Sequence, residues 1–150
     1  MKKKAILCDV DGTLANIVHR LHHIKQKPAH WGKFKQEAYS DEPYNDIVWL
    51  VRALAATGAN ILIVTARMEE EREVTTKWLD EVAGLKHVYE KIYMRKQDDF
   101  REDSIIKKEL LEQIKSEGYE PYMVIDDRNR VVKMWRDFGL RCLQVREGDF

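Results

Sequence analysis

Three short apolar runs in this chain each stop at an acid or a hydroxyl. Lys4 to Asp9 reads KAILCD, Asn60 to Thr65 reads NILIVT, and Pro121 to Asp126 reads PYMVID. A strand that is apolar on both faces must be covered on both faces, which suits a parallel sheet between two layers of helix. A further run, Leu140 to Val145 (LRCLQV), and a weaker one, His87 to Met94 (HVYEKIYM), complete the set of strands. Between the runs lie helical patterns. Residues 44–57 put Ile47, Val48, Leu50, Val51 and Leu54 on one face, with Gly58 just beyond. Residues 69–82 follow an acidic first turn with Val74, Trp78, Leu79 and Val82. Residues 103–116 carry Ile106, Leu110, Leu111 and Ile114, and residues 129–138 carry Val132, Trp135 and Phe138. Trp49, Trp78 and Trp135 all read as core. Strand alternating with helix predicts a doubly wound α/β fold.

A length of 150 residues suits one domain, taken as residues 1–150. Residues 15–43 fit the alternation less well and read as one or two short helices over one end of the sheet, a possible small cap. Lys plus Arg equals Asp plus Glu, so the formal net charge is zero. That balance excludes a strongly basic nucleic-acid surface and leaves room for a local basic patch. No apolar run approaches a membrane span, and the opening MKKKAILCDV does not read as a signal peptide. Two cysteines, Cys8 and Cys142, point to a reducing compartment, and a cytoplasmic location is expected.

Ligands of doubly wound sheets bind beyond the carboxyl ends of the strands. Here those ends carry Asp9 and Asp11, then Thr65 and Arg67, then Asp126 and Asp127. Two carboxylates as close as Asp9 and Asp11 repel, and burial makes the repulsion worse. A hard divalent ion such as Mg²⁺ would remove it. An aspartate can attack phosphorus, and a second acid nearby can protonate the leaving group and then activate water. Gly12 permits close backbone approach.

DVDGT after an apolar strand resembles the first motif of the haloacid dehalogenase (HAD) phosphohydrolase superfamily. The same family expects a Ser or Thr at the second strand end, found as Thr65 in IVTAR. It expects a helix lysine, found as Lys107 in DSIIKKE, and an acidic pair, found as Asp126 and Asp127 in VIDD. The segments TKWLDEVAG, RKQDDFREDSIIKKE and VIDDRNRVVKMWRDFGLRCLQVREGDF are similar to the 3′-phosphatase half of the phage polynucleotide kinase/phosphatase family. That likeness runs from residue 60 onward and is poor over residues 21–45. The phosphate-cradling run G-x-x-x-x-G-K-[ST] of the kinase half is absent.

The resemblance implies a three-layer Rossmann-like HAD fold with a central parallel sheet and a minimal cap. It implies Asp9 as nucleophile, Asp11 as acid and base, and Mg²⁺ held by Asp9, the backbone carbonyl of Asp11 and Asp127, with Asp126 in support. Thr65, Lys107 and Arg67 would hold phosphate oxygens, Arg20 would lie near the substrate, and Asp103 would orient Lys107 or Arg67. The substrate implied is a 3′-phosphorylated DNA or RNA end, or a nucleoside 3′-monophosphate. A small-molecule phosphatase and a non-catalytic module are the rival readings. His19, His22 and His23 have metal-ligand spacing, but with no matching distant ligand they read as a helix face near the substrate mouth. Trp31 and Phe34, three apart, fit either the apolar face of a short helix or a platform for a nucleobase. Lys107 and Lys108 cannot both face the rim.

Overall fold

The computed structural model describes residues 1–150. Five parallel strands form the central sheet: β1 (Lys3–Cys8), β4 (Asn60–Met68), β5 (Tyr89–Arg95), β6 (Tyr119–Asp126) and β7 (Arg141–Gln144), in the order β5-β4-β1-β6-β7. The period of two along a strand explains the two cores. Ile6 and Cys8 of β1 face one side with Ile61, Ile63 and Trp78, while Ala5 and Leu7 face the other with Leu62, Val64, Leu111 and Trp135. The first face is covered by α3 (Asn45–Ala56) and by the turn Trp78–Val82 that follows α4 (Arg72–Lys77), and the second by α5 (Asp103–Ser116) and α6 (Asn129–Asp137). This is the α/β sandwich expected from the alternation.

Element positions follow the sequence patterns closely, and the differences have physical causes. β4 runs on to Met68, so Arg67 lies within the strand rather than beyond it. The expected helix over 69–82 divides into a 3₁₀ turn at Glu69–Glu71, α4, and a π turn at Trp78–Val82. Trp49 is not core: it is 68% exposed. Val48 and Val51 point α3 into the core, and Trp49 sits about 100° round from Val48. Phe138 lies past the end of α6 and is about half exposed, with the Lys108 ammonium over its ring.

Residues 15–43 leave the sheet and return to the same place. β2 (Ala15–Asn16) pairs antiparallel with β3 (Glu42–Pro43), so a two-stranded neck closes the excursion. Between them lie α1 (His22–Lys25) and α2 (Trp31–Gln36). Ile17 and Phe34 tie the excursion to the core under α3. No helix in the chain is long and apolar enough to cross a membrane.

Both cysteines are buried free thiols. Burial pushes Cys8 well above the ordinary thiol range and Cys142 up to about 12. Native protein at pH 8 should therefore leave both unreactive toward a thiol-specific dye, and urea should release two. An unfolded thiol ionises near pH 9, whereas the folded ones keep their protons. The thiols' contribution to stability is therefore full below about pH 9 and declines as the pH climbs toward 12. Denaturation midpoints against pH should show that decline, and Cys142→Ala should flatten it.

Candidate active site

The strand order places the ends of β4, β1 and β6 side by side, with the chain leaving β1 on one side of the sheet and later crossing to the other. That switch point is where a crevice forms. Asp9 follows β1 directly, Thr65 and Arg67 lie near the end of β4, and Asp126 ends β6. Lys107 enters from the second turn of α5. Its Nζ donates to Asp9 Oδ1 and to Asp126 Oδ2, each at 2.8 Å. Its neighbour Lys108 is exposed. The helix period thus settles which of the two lysines reaches the rim.

All three groups are buried. Burial alone would lower the Lys107 pKa, but the charges of Asp126 and Asp9 outweigh it and hold the ammonium protonated. Burial and the charge of Asp126 push Asp9 well above the carboxylate range, against the pull of Lys107. Asp126 is fully partnered. Its other oxygen accepts from the Asp127 amide at 2.8 Å, and Trp135 Nε1 donates to the oxygen it shares with Lys107 at 3.1 Å. Asp9 Oδ2 accepts from the Thr13 hydroxyl at 3.0 Å, so one carboxylate oxygen is set by the lysine and the other by the threonine.

Asp127 is the exception. Oδ1 lies 3.3 Å from the Thr13 hydroxyl, but the buried Oδ2 has no hydrogen-bond partner. A Cβ on Gly12 would overlap that oxygen, so only glycine leaves the space beside it open. Burial and the Asp126 charge raise Asp127 as well. Carboxylate oxygens of Asp9, Asp126 and Asp127 lie within 4.8 Å of one another. Clustered hard oxygens, one of them orphaned, fit a hard divalent cation.

Asp11 turns away from this cluster. Both of its oxygens accept from Arg67 Nε at 3.1 Å, and Oδ1 also accepts from Arg67 Nη2 at 2.5 Å and Arg20 Nη2 at 3.1 Å. Burial acts to raise its pKa, but Arg67 and then Arg20 outweigh that and lower it. Both guanidiniums are in turn held by Asp41, which sequence reading missed. Arg20 Nε and Nη2 reach its two oxygens at 2.8 Å each, Arg67 Nη2 lies 3.5 Å away, and Trp78 Nε1 donates to its carbonyl at 2.8 Å. Arg20 is fully buried and spends every nitrogen inside the protein, one of them on the Phe34 carbonyl at 3.1 Å. Arg67 gains a further anchor at Thr75. The Thr65 hydroxyl accepts from the Arg67 amide at 3.2 Å and keeps its own proton to donate.

One expectation needs correction. Asp103 shares a face of α5 with Lys107 but does not orient it or Arg67, nor does it face the site. It pairs with Arg95 at 2.5 Å and Arg128 at 2.6 Å, because Lys107 reaches inward while Asp103, at the helix start, turns to the loop. The three histidines do not converge: His19 bonds to Asp41 and His23 to Glu37. Thr13 and Arg146, whose Nε lies 3.5 Å from Asp127 Oδ2, also escaped notice. The threonine could have been found, since it completes DVDGT. Nothing in the local pattern marks Asp41 or Arg146.

A family model describing the phosphatase domain of the polynucleotide kinase PNKP matches residues 3–150. The chain belongs to this family of HAD-type phosphatase domains. It is 30% identical over 138 residues to a protein of Autographa californica nuclear polyhedrosis virus described as a bifunctional polynucleotide kinase/RNA ligase, covering 91% of this chain and 18% of that one. A chain of the solved Pnkp1/Rnl/Hen1 complex is similar at 31% identity and a TM-score of 0.82, over 99% of this chain and 48% of its own. The chain therefore spans less than half the length of both. A haloacid dehalogenase-like hydrolase from Streptococcus pneumoniae shares the fold, with a TM-score of 0.69 at 14% identity, covering 95% of this chain and 84% of that one.

Lys107→Met should leave Asp9 and Asp126 as an uncompensated buried pair. The expected cost is about 3–5 kcal/mol at neutral pH. Because protonation then relieves the repulsion, the variant should gain stability as the pH falls, and urea denaturation at pH 7.5 and pH 5 would read it. Equal stability at pH 7.5 for variant and wild type would contradict the bridge.

Proposed function

We propose that this HAD-type phosphatase domain removes 3′-phosphates from polynucleotide ends through an aspartyl-phosphate on Asp9, with Mg²⁺ as cofactor. The observation that carries the chemistry is the orientation of Asp9 by Lys107 and Thr13 beside the orphaned oxygen of Asp127. The polynucleotide substrate rests on the family match and on the kinase and RNA-repair proteins that the chain resembles.

Asp9 and Asp127 would hold the metal, with Asp126 fixing Lys107 and the Asp127 backbone behind them. The ion would supply charge neutralisation for a phosphate entering a site already lined with carboxylates. A carboxylate oxygen of Asp9 attacks phosphorus as the bond to the 3′ oxygen breaks. Asp11 gives that oxygen its proton. Asp11 then takes a proton from water as the water attacks the aspartyl-phosphate, releasing inorganic phosphate and restoring both acids. Lys107 and the Thr65 hydroxyl balance charge on the phosphoryl oxygens. A phosphate gripped by Arg67 takes over hydrogen bonds that Asp11 holds in the free enzyme, and so frees Asp11 to carry a proton. Residues 15–43 act as a minimal cap, since they carry Arg20 and Asp41 to the leaving-group side.

Phosphate release from a 3′-phosphorylated oligonucleotide should exceed release from a nucleoside 5′-monophosphate or a sugar phosphate, compared at equal concentration by kcat/KM. Preference for either of the latter would remove the polynucleotide assignment. Asp9→Asn should abolish turnover, and Asp11→Asn should lower it by about 10²–10⁴-fold. Mg²⁺ at 100 times its dissociation constant should stabilise the folded wild type by about 2.7 kcal/mol. That shift should vanish in Asp127→Asn, as read by thermal melts with and without chelator.

A further inference from the structure

Trp31 opens α2 and is 56% exposed, although it is the largest apolar side chain of the excursion. It is not loose. The His30 side chain caps α2 by accepting from the Lys33 amide at 3.1 Å, and the His30 amide donates to the His23 carbonyl at 2.7 Å. The indole stands edge-on to the Phe34 ring, with centroids 5.7 Å apart. Phe34 is buried, and the Arg20 guanidinium lies 4.1 Å from its ring centre. That same guanidinium donates to Asp11 Oδ1 at 3.1 Å. Trp31 is thus joined to the carboxylate on the leaving-group side by two side chains in contact, Phe34 and Arg20. In the same excursion, Lys25, Lys27 and Lys33 are exposed and make no ion pair with any carboxylate, in a chain whose total charge is zero.

We propose that Trp31 is the stacking platform for a nucleobase at the 3′ end of a single strand, with Lys25, Lys27 and Lys33 following the backbone away from the terminal phosphate. Every base offers a π face to an indole, and unpaired cations beside an aromatic suit a sugar–phosphate backbone rather than an apolar partner. The contacts through Phe34 and Arg20 put Trp31 on the excursion that positions Asp11, and a base near the terminal phosphate would settle there. The edge-on Phe34 fixes the indole plane, which lowers the entropy lost when a base settles on it. The inference rests on the polynucleotide reading of the site and specifies a single-stranded end as the form recognised.

Trp31→Ala, Trp31→Phe and Trp49→Ala should be compared with wild type on three substrates: a 3′-phosphorylated single-stranded oligonucleotide, the same oligonucleotide abasic in its last two nucleotides, and p-nitrophenyl phosphate. Trp31→Ala should lower kcat/KM on the intact oligonucleotide by about tenfold, mainly through KM, as expected for loss of one stacked base. Trp31→Phe should recover most of the loss. Wild type and Trp31→Ala should be equal on the abasic strand and on p-nitrophenyl phosphate. Trp49→Ala, which removes an exposed indole on α3, should match wild type throughout. An equal loss on all three substrates, or no loss on any, would overturn the platform while leaving the polynucleotide reading intact. Failure of wild type to act on the intact oligonucleotide, with activity on p-nitrophenyl phosphate retained, would overturn both.

Discussion

One ammonium between two carboxylates organises this molecule. Lys107 bridges strand ends that are neighbours in space but far apart in the chain, Asp9 after β1 and Asp126 at the end of β6. Without it, two buried carboxylates would face each other uncompensated. Having met that need, the lysine fixes the rotamer of Asp9, sets the rotation of α5 against the sheet, and leaves Asp127 as the acid with capacity to spare. Trp135 closes the arrangement from α6, since its ring fills the second core while its N–H serves Asp126. Packing and electrostatics are therefore solved together on this face of the sheet.

A second charge cluster stands across the crevice. Asp41, Arg20, Arg67 and Asp11 alternate in sign, so each buried charge touches at least one of the opposite kind. Buried ion pairs give little net stability, but breaking one is costly, and a network of them has few alternative geometries. The first cluster belongs to the sheet and α5. The second depends on the excursion, because Arg20 and Asp41 lie within residues 15–43 and only Arg67 and Asp11 come from the sheet.

This division explains which parts were legible in the sequence. The strands were readable because a buried parallel sheet demands continuous apolar runs, and the acids at their ends stood out against those runs. Lys107 was separated from Lys108 by helix period once the apolar face of α5 was known. Asp41 was invisible, since its importance lies in contacts with residues 21 and 26 positions away that no periodicity encodes. Asp103 misled for the opposite reason: spacing of four on a helix gives a shared face, but not the direction a long side chain takes from it. Trp49 failed in the same way, because a broad apolar stripe on α3 hides which of its residues sits at the margin.

The two clusters meet at Asp11, and that meeting constrains how the reaction can be selective. In the proposed reaction the chemistry at phosphorus draws on the sheet-borne set and α5, while the fold itself is shared with a hydrolase at 14% identity. The leaving group, by contrast, would fit against the excursion in that reaction, since Arg20 and Asp41 position Asp11 from that side. A substrate that presses on residues 15–43 would act on the second cluster and, through Arg67, on Asp11, the acid of that proposal. On that proposal, selectivity for the group attached to phosphate would follow from the placement of Asp11, and the short excursion could vary in sequence without disturbing Asp9, Lys107 or the carboxylates beside them.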